Sequence, residues 1–394
     1  MNVLRETFEA LFLRPLSVWL AALLLATLNI LLFAYEKPWT AADGLRNWGD
    51  WLVLTLGGPS PPGILPPTLY SGSVLNLGLL LGALASALLS RRFAVRVPPP
   101  AELGKGILGG GLMGLGAMLA MGCNVGGFYS ALSALSLSGL TMMAGLALGA
   151  YVASRYLRWE SERRARAQVP PHRTFGAAPA TGHSLQPGLG GLCLILIAAA
   201  VALYARYGYG QRGGLLLFGV LFGMILQRSR FCFVRAFREP FLSGESEMTR
   251  AVALSLAVSV IGFSVLKSND LRSLDAFVFA AFWQGSLGGG TLFGVGMVLA
   301  GGCGVGSLWR AAEGQVKLLC AGITFALVAT FARGGLEQAG WLQSLGRAVF
   351  LPDWVGWPLA LALVLALLAS WSLLAAWNEK ARLIAAGRVE DTCV

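Results

Sequence analysis

Hydrophobic positions along this chain gather into runs almost free of charge, over residues 16–33, 75–89, 140–151, 190–204, 251–266 and 359–376. Several are long enough to cross a bilayer as helices, since about 20 helical residues span the hydrocarbon. Others are short and interrupted by glycine. The first run follows Arg14 and ends at Ala34-Tyr35-Glu36-Lys37 with no small-x-small cleavage site. It reads as a retained membrane helix rather than a signal peptide.

The polar positions predict a topology. Arg5 and Arg14 precede the first helix, whereas Glu36, Asp43 and Asp50 oppose Lys37 and Arg46 after it. Arginine then collects at Arg91, Arg92 and Arg96, at Arg155, Arg158, Arg163, Arg164, Arg166 and Arg173, and in the tail with Lys380, Arg382 and Arg388. Positive residues stay cytoplasmic, so both termini and the segment around Arg163 are expected on the inner side of a bacterial-type inner membrane. That segment, rich in proline and holding His172 and His183, divides the chain. The expected organisation is a first membrane half (1–157), a cytoplasmic hinge (158–187), a second half (188–378) and a cytoplasmic tail (379–394).

Composition agrees. Apolar residues make up 56% of the chain and charged ones 12%, about half the roughly 25% of a soluble domain. The net charge of +11 does not argue for nucleic acid, because most basic residues fall where membrane insertion alone puts them. The six cysteines lack the close pairing of a secreted disulfide framework.

Two segments match across the hinge. The 18 residues from Gly109 and the 18 from Gly289 share 11 identities at a constant offset of 180, aligning a glycine ladder and a cysteine, Cys123 with Cys303. Such a repeat marks a transporter of two related halves with its site between them. Close helix packing accounts for Gly110, Gly114, Gly290 and Gly294, but not for the cysteines. A glycine break within an apolar segment exposes backbone that lipid cannot satisfy, so it must be buried or line a cavity. Each break therefore predicts a loop before a half-helix, whose free N–H groups and positive dipole end favour an anion. A thiol there adds a weak donor and a polarizable sulfur contact. A third cysteine stands in Arg228-Ser229-Arg230-Phe231-Cys232-Phe233, with Ser90-Arg91-Arg92-Phe93-Ala94 as a loose counterpart. That segment reads either as a basic mouth carrying a thiol or as an ordinary helix end.

Together these motifs resemble the YeeE/YedE family, the YedE-like branch in particular. The resemblance rests on Met121-Gly122-Cys123-Asn124-Val125-Gly126, Arg230-Phe231-Cys232 and Gly302-Cys303-Gly304-Val305-Gly306, supported by Gly72-Ser73-Val74-Leu75-Asn76, and covers about residues 47–317. It implies uptake of thiosulfate, with Cys123, Cys303 and Cys232 as relay thiols, and a selenium compound or another sulfur anion stays open as substrate. A cytoplasmic sulfur carrier of the TusA kind is an implied partner. The Arg-Phe-Cys motif lies in the second half here, whereas the family's thiosulfate transporters carry it early in the chain.

The fold class expected is thus an all-α polytopic membrane protein with two homologous halves, its broken or half-length helices meeting at the Gly-Cys loops. The expected substrate contacts are Cys123, Cys232 and Cys303, the glycines Gly122, Gly126, Gly302, Gly304 and Gly306, and Asn124, Arg230 and Arg310. Asn124 could also cap its half-helix. Arg310 and Glu313, one turn apart, could pair with each other. Cys193 and Cys320 read as packing residues and Cys393 as an idle tail thiol. Trp39, Trp48, Trp51, Trp354 and Trp357 read as interfacial anchors. Neither metal nor cofactor is expected, since both histidines lie in the hinge. No phosphate-binding Gly-x-x-x-x-Gly-Lys-Ser/Thr run is present. A membrane sulfurtransferase holding a cysteine persulfide and an accessory subunit are the rival readings.

Overall fold

The structure is a computed structural model and describes residues 14–58, 63–166, 175–176 and 185–390. Arg5, His172, Arg173, His183 and Cys393 lie outside the described residues. The first membrane block comprises α1 (Val18–Tyr35), α2 (Ala42–Thr55), α3 (Ser71–Leu89), α4 (Pro100–Leu119), α5 (Asn124–Ser133) and α6 (Leu137–Arg166). Helix α7 (Gln186–Arg206) leads to the second block: α8 (Gly210–Ser229), α9 (Phe233–Leu242), α10 (Glu247–Ser268), α11 (Gln284–Ala300), α12 (Gly304–Ala312) and α13 (Val316–Gln338). Short α14 (Leu351–Val355) and long α15 (Trp357–Glu390) close the chain. Helix α6 thus continues beyond residue 158, and α15 runs through residue 379. Two-residue strands β1 (Arg96–Val97) and β2 (Phe175–Gly176) pair antiparallel.

Among the described residues nine helical segments are long and apolar enough to cross a membrane, or ten with the bent pair α4–α5 counted as one span. Helices α7 and α15 expose apolar side chains, including Leu192, Ile195, Leu196, Leu363, Leu373 and Leu374. Such a surface is stable only against lipid, where the helix meets its own backbone hydrogen bonds. The protein is a multi-pass membrane protein.

The two blocks form an inverted repeat. A Cβ added at Gly109 would lie 2.5 Å from the Gly296 carbonyl oxygen, and one at Gly116 would lie 2.5 Å from that of Gly289. Rising numbers on α4 meet falling numbers on α11, so the helices are antiparallel. The offset of 180 converts the first contact into the second, so a two-fold axis runs between the helices, across their length. The remaining pairings obey the same symmetry: α1 packs on α10 as α8 packs on α3, and α4 on α13 as α11 on α6.

Cross-links identify the two ends of the bundle. At one end the Leu16 N–H donates to the Arg228 carbonyl at 3.2 Å, Lys317 pairs with Glu102 at 2.7 Å, and Arg382 donates to the Leu242 carbonyl. This end also holds Arg91, Arg92, Arg96 and Arg158. At the other, Arg212 meets Glu36 at 3.0 Å, and buried Lys267 donates to the Ala134 carbonyl at 3.0 Å. The latter bond satisfies an orphan carbonyl at the end of α5.

One anchor assignment fails. Trp39 is fully buried, stacked on Phe222 at 4.2 Å and edge-on to Tyr129. It sits in the break between α1 and α2, whose backbone is drawn inward by the Asn29 side-chain oxygen accepting from the Trp39 N–H at 2.8 Å. Trp354, by contrast, is exposed.

Candidate functional site

At three of the helix breaks a cysteine stands where the helix restarts. Cys123, Cys232 and Cys303 are the N-cap residues of α5, α9 and α12, all three in extended backbone. Two residues before each cysteine the backbone turns left-handed, at Met121 (φ 57°), Arg230 (φ 57°) and Gly301 (φ 79°). Only glycine takes that conformation without cost; a side chain pays about 1–2 kcal/mol. Met121 and Arg230 are therefore held in strained backbone beside thiols, a feature of functional sites. The Cys303 sulfur accepts from the Gly306 N–H at 3.3 Å, and the Cys232 N–H donates to the Met248 sulfur at 3.4 Å.

The three thiols are buried and belong to one core. Cys303 has both other cysteines within electrostatic reach, and a Cβ at Gly304 would lie 3.9 Å from that of Cys123. The fully buried Asn124 side chain faces the Cys303 thiol, and neither its nitrogen nor its oxygen has another hydrogen-bond partner. It does not cap α5; Cys123 holds that position. Beyond the Cys303 thiol, the Asn124 carboxamide offers a donor and an acceptor to the buried space beside that sulfur.

The glycines divide into two groups. At Gly122 an added Cβ would press on the Gly127 nitrogen at 2.6 Å, at Gly126 on the Thr40 hydroxyl at 2.7 Å, and at Gly302 on Leu318 at 2.7 Å; these are packing positions. At Gly306 it would meet only the Cys303 sulfur, at 3.5 Å, and at Gly304 nothing nearer than 3.8 Å. Those two keep room beside the thiols.

Away from the arginine-rich end, a cavity of about 350 Å³ is lined by Lys37, Thr40, Asp43, Arg46, Met118, Met121, Gly122, Phe277, Phe279 and Arg333. It thus reaches the residue next to Cys123. Burial alone would lower the Lys37 ammonium and raise the Asp43 carboxyl. Their ion pair reverses both effects, so Lys37 is held above its ordinary value and Asp43 below. Arg46, Met121 and Arg333 escaped sequence reasoning. Arg46 and Arg333 lie 287 positions apart, and Met121 is marked only by its backbone.

The arginine-rich end differs from expectation. Arg310 donates to the Gly301 carbonyl at 2.9 Å, whereas Glu313 pairs with Arg230 at 2.6 Å. The segment at Ser90–Ala94 is not the counterpart of the Cys232 break, since it leads to β1 and not to a short helix. By helix order the counterpart is the break before α2, with Ala41 at the N-cap. Cys193 and Cys320 are partly exposed and stand apart from the three breaks.

An inverted membrane repeat whose broken helices bring buried polar groups together between charged ends is the architecture of a transporter. Comparison with known proteins agrees. The chain belongs to the sulphur-transport (YeeE/YedE) family, whose pattern matches residues 2–152 and 228–392. It is 31% identical over 285 residues to the probable transporter YedE of Escherichia coli K12, covering 71% of this chain and 67% of the relative. Over 127 residues it is 34% identical to the thiosulfate transporter TsuA of the same organism, covering 31% of this chain and 36% of TsuA. A TsuA from Spirochaeta thermophila is 35% identical over 132 residues, 34% of this chain and 39% of the relative.

Proposed function

We propose that the protein carries thiosulfate across the inner membrane into the cytoplasm, handing it along the thiols in the order Cys123, Cys303, Cys232. The observation that carries this reading is the set of three buried N-cap thiols, with buried Asn124 and the open space at Gly304 and Gly306 beside them. The cavity with Lys37, Arg46 and Arg333 supports Cys123 as the first contact. Arg230 and Arg235 beside Cys232 support that thiol as the last. The names of the TsuA relatives support the substrate.

Thiosulfate suits such a path chemically. Its terminal sulfur is soft and accepts weakly from S–H donors, while its oxygens accept from Asn124 and from half-helix N–H groups. Conduction requires each contact to be weak enough for release, and neutral thiols meet that requirement better than fixed cations would. In this reading the arginine-rich end faces the cytoplasm. Residues 1–157 and 188–378 act as the two membrane halves, and a sulfur carrier of the TusA kind receives the anion at that end.

The test uses protein in liposomes with thiosulfate labelled at its outer or its central sulfur in separate runs. Both labels are expected to enter equally, and Cys123→Ala, Cys232→Ala and Cys303→Ala each to slow uptake by about tenfold or more, at least 1.4 kcal/mol at the barrier. Outer label retained on protein, with sulfite left outside, would overturn intact transport and favour a persulfide.

A further inference from the structure

Glu313 is the C-cap residue of α12, and its side chain has no exposed surface. One carboxylate oxygen accepts from Arg230 at 2.6 Å, the other from the Gln227 amide at 2.8 Å. The Gln227 oxygen in turn accepts from Ser86 at 2.7 Å. Arg310, one turn away, is committed to the Gly301 carbonyl. Arg230 is therefore the one cation that the described residues place on this carboxylate.

The two partners are unequal. The backbone of Glu313 is tied down, its carbonyl accepting from the Ala94 N–H at 3.2 Å. The Arg230 side chain keeps 38% of its surface exposed and rests over buried Trp309, 5.5 Å from the ring centroid. Arg230 is also the left-handed residue two positions before Cys232. The pair thus bolts the break that carries Cys232 to the end of the helix that begins at Cys303.

As a stability device this is a poor choice, because burying a carboxylate costs much of what the pair returns. As a closure it is well placed. An anion at Cys232 arrives two residues from the guanidinium and offers it the charge that Glu313 now supplies. Gln227, itself held by Ser86, still donates to one oxygen of the released carboxylate.

We infer that the Arg230–Glu313 ion pair is the gate at the arginine-rich end of the path: Glu313 holds Arg230 across the way out from Cys232, and the anion opens it by taking Arg230. This rests on the transport reading above. In that role Arg230 contacts the anion, and Glu313 is a positioning residue acting through it.

The experiment is the rate at which a membrane-impermeant methanethiosulfonate, applied from the arginine-rich face of vesicles, modifies Cys232, read by mass spectrometry. The protein lacks Cys193, Cys320 and Cys393, each changed to Ala. Without any anion, Glu313→Gln is expected to speed the modification by about tenfold or more, a one-decade shift of the gate equilibrium. It keeps an acceptor for Gln227 but no charge. Arg230→Glu combined with Glu313→Arg is expected to restore the slow rate. Thiosulfate should speed the unaltered pair and leave Glu313→Gln unchanged. Cys123 should stay slow throughout, which separates opening from loss of fold. A wild-type rate in Glu313→Gln, or a charge swap as open as the single variant, overturns the gate. The anion-free comparison stands whether or not thiosulfate is the substrate, so a failure of that reading is seen separately.

Discussion

Asn124 is the residue whose environment asks most for a ligand. Its amide and carbonyl are buried, and among the described residues the Cys303 thiol is the hydrogen-bonding group found against them. Asn124→Leu removes both polar atoms at similar volume, so the fold is expected to keep or gain thermal stability, because a desolvation penalty disappears. Uptake should fall by about tenfold or more if the oxygens of the anion bond there, a loss of at least 1.4 kcal/mol in the transition state. Liposome flux and a melting curve on the same preparation check the two halves of this expectation. Gly306→Ala separates space from packing in the same way. The new methyl would meet only the Cys303 sulfur, at ordinary contact distance, so the melting temperature should hold while flux drops.

At the scale of elements, the repeated feature is a helix stop, a left-handed residue, one spacer and an N-cap cysteine. The stop at Gly301 offers a clean test, since no atom lies within 4 Å of an added Cβ. Gly301→Ala carries only the backbone term and should destabilise by about 1–2 kcal/mol. A loss well beyond that would mean that more than one dihedral is strained. The α4–α11 crossing is a different case. Gly116 and Gly289 each approach the other's carbonyl so closely that a Cβ on either would fall at 2.5 Å. Gly289→Ala must therefore separate the helices, and a cost above that at Gly301, read by thermal unfolding in detergent, is expected. Sequence comparison found both glycines as an aligned ladder. It did not show that they face each other, because a repeat reads the same whether its copies run parallel or inverted.

For the whole molecule, the charged groups lie at the two ends and the thiols between them. Arg46 and Arg333 come from distant segments and meet only across the cavity that leads to Gly122. Arg333→Gln should raise the thiosulfate concentration for half-maximal uptake more at low salt than at high salt, since screening removes what a distant charge contributes. The Lys37–Asp43 pair adds a pH expectation. Asp43 is held below its ordinary value. Its contribution to stability is thus complete above the unfolded carboxyl range and lost only as pH falls through the lower folded value. Asp43 should therefore add the same full stability at every pH between about 6 and 8, with no pH dependence of melting temperature from it there, and Asp43→Asn should narrow the acid fall below about pH 4.

The sequence by itself determined the solvent, the helices and the repeat. Hydrophobic runs that lipid must cover, and glycines and a cysteine kept in step at an offset of 180, are written in residue order and need no third dimension. It also singled out Cys123 and Cys303, because a cysteine in a glycine break of an apolar segment has few reasons to exist, whereas Cys232, flanked by Phe231 and Phe233, joined them only through the family resemblance. Only the tertiary structure decided the rest: that the copies are inverted, that Trp39 turns inward, that Glu313 belongs to Arg230 rather than Arg310, and that Arg46 and Arg333 share a cavity. Those facts depend on which segments meet. Antiparallel helices joined through a two-fold axis bring together residues that periodicity, a local property, leaves far apart.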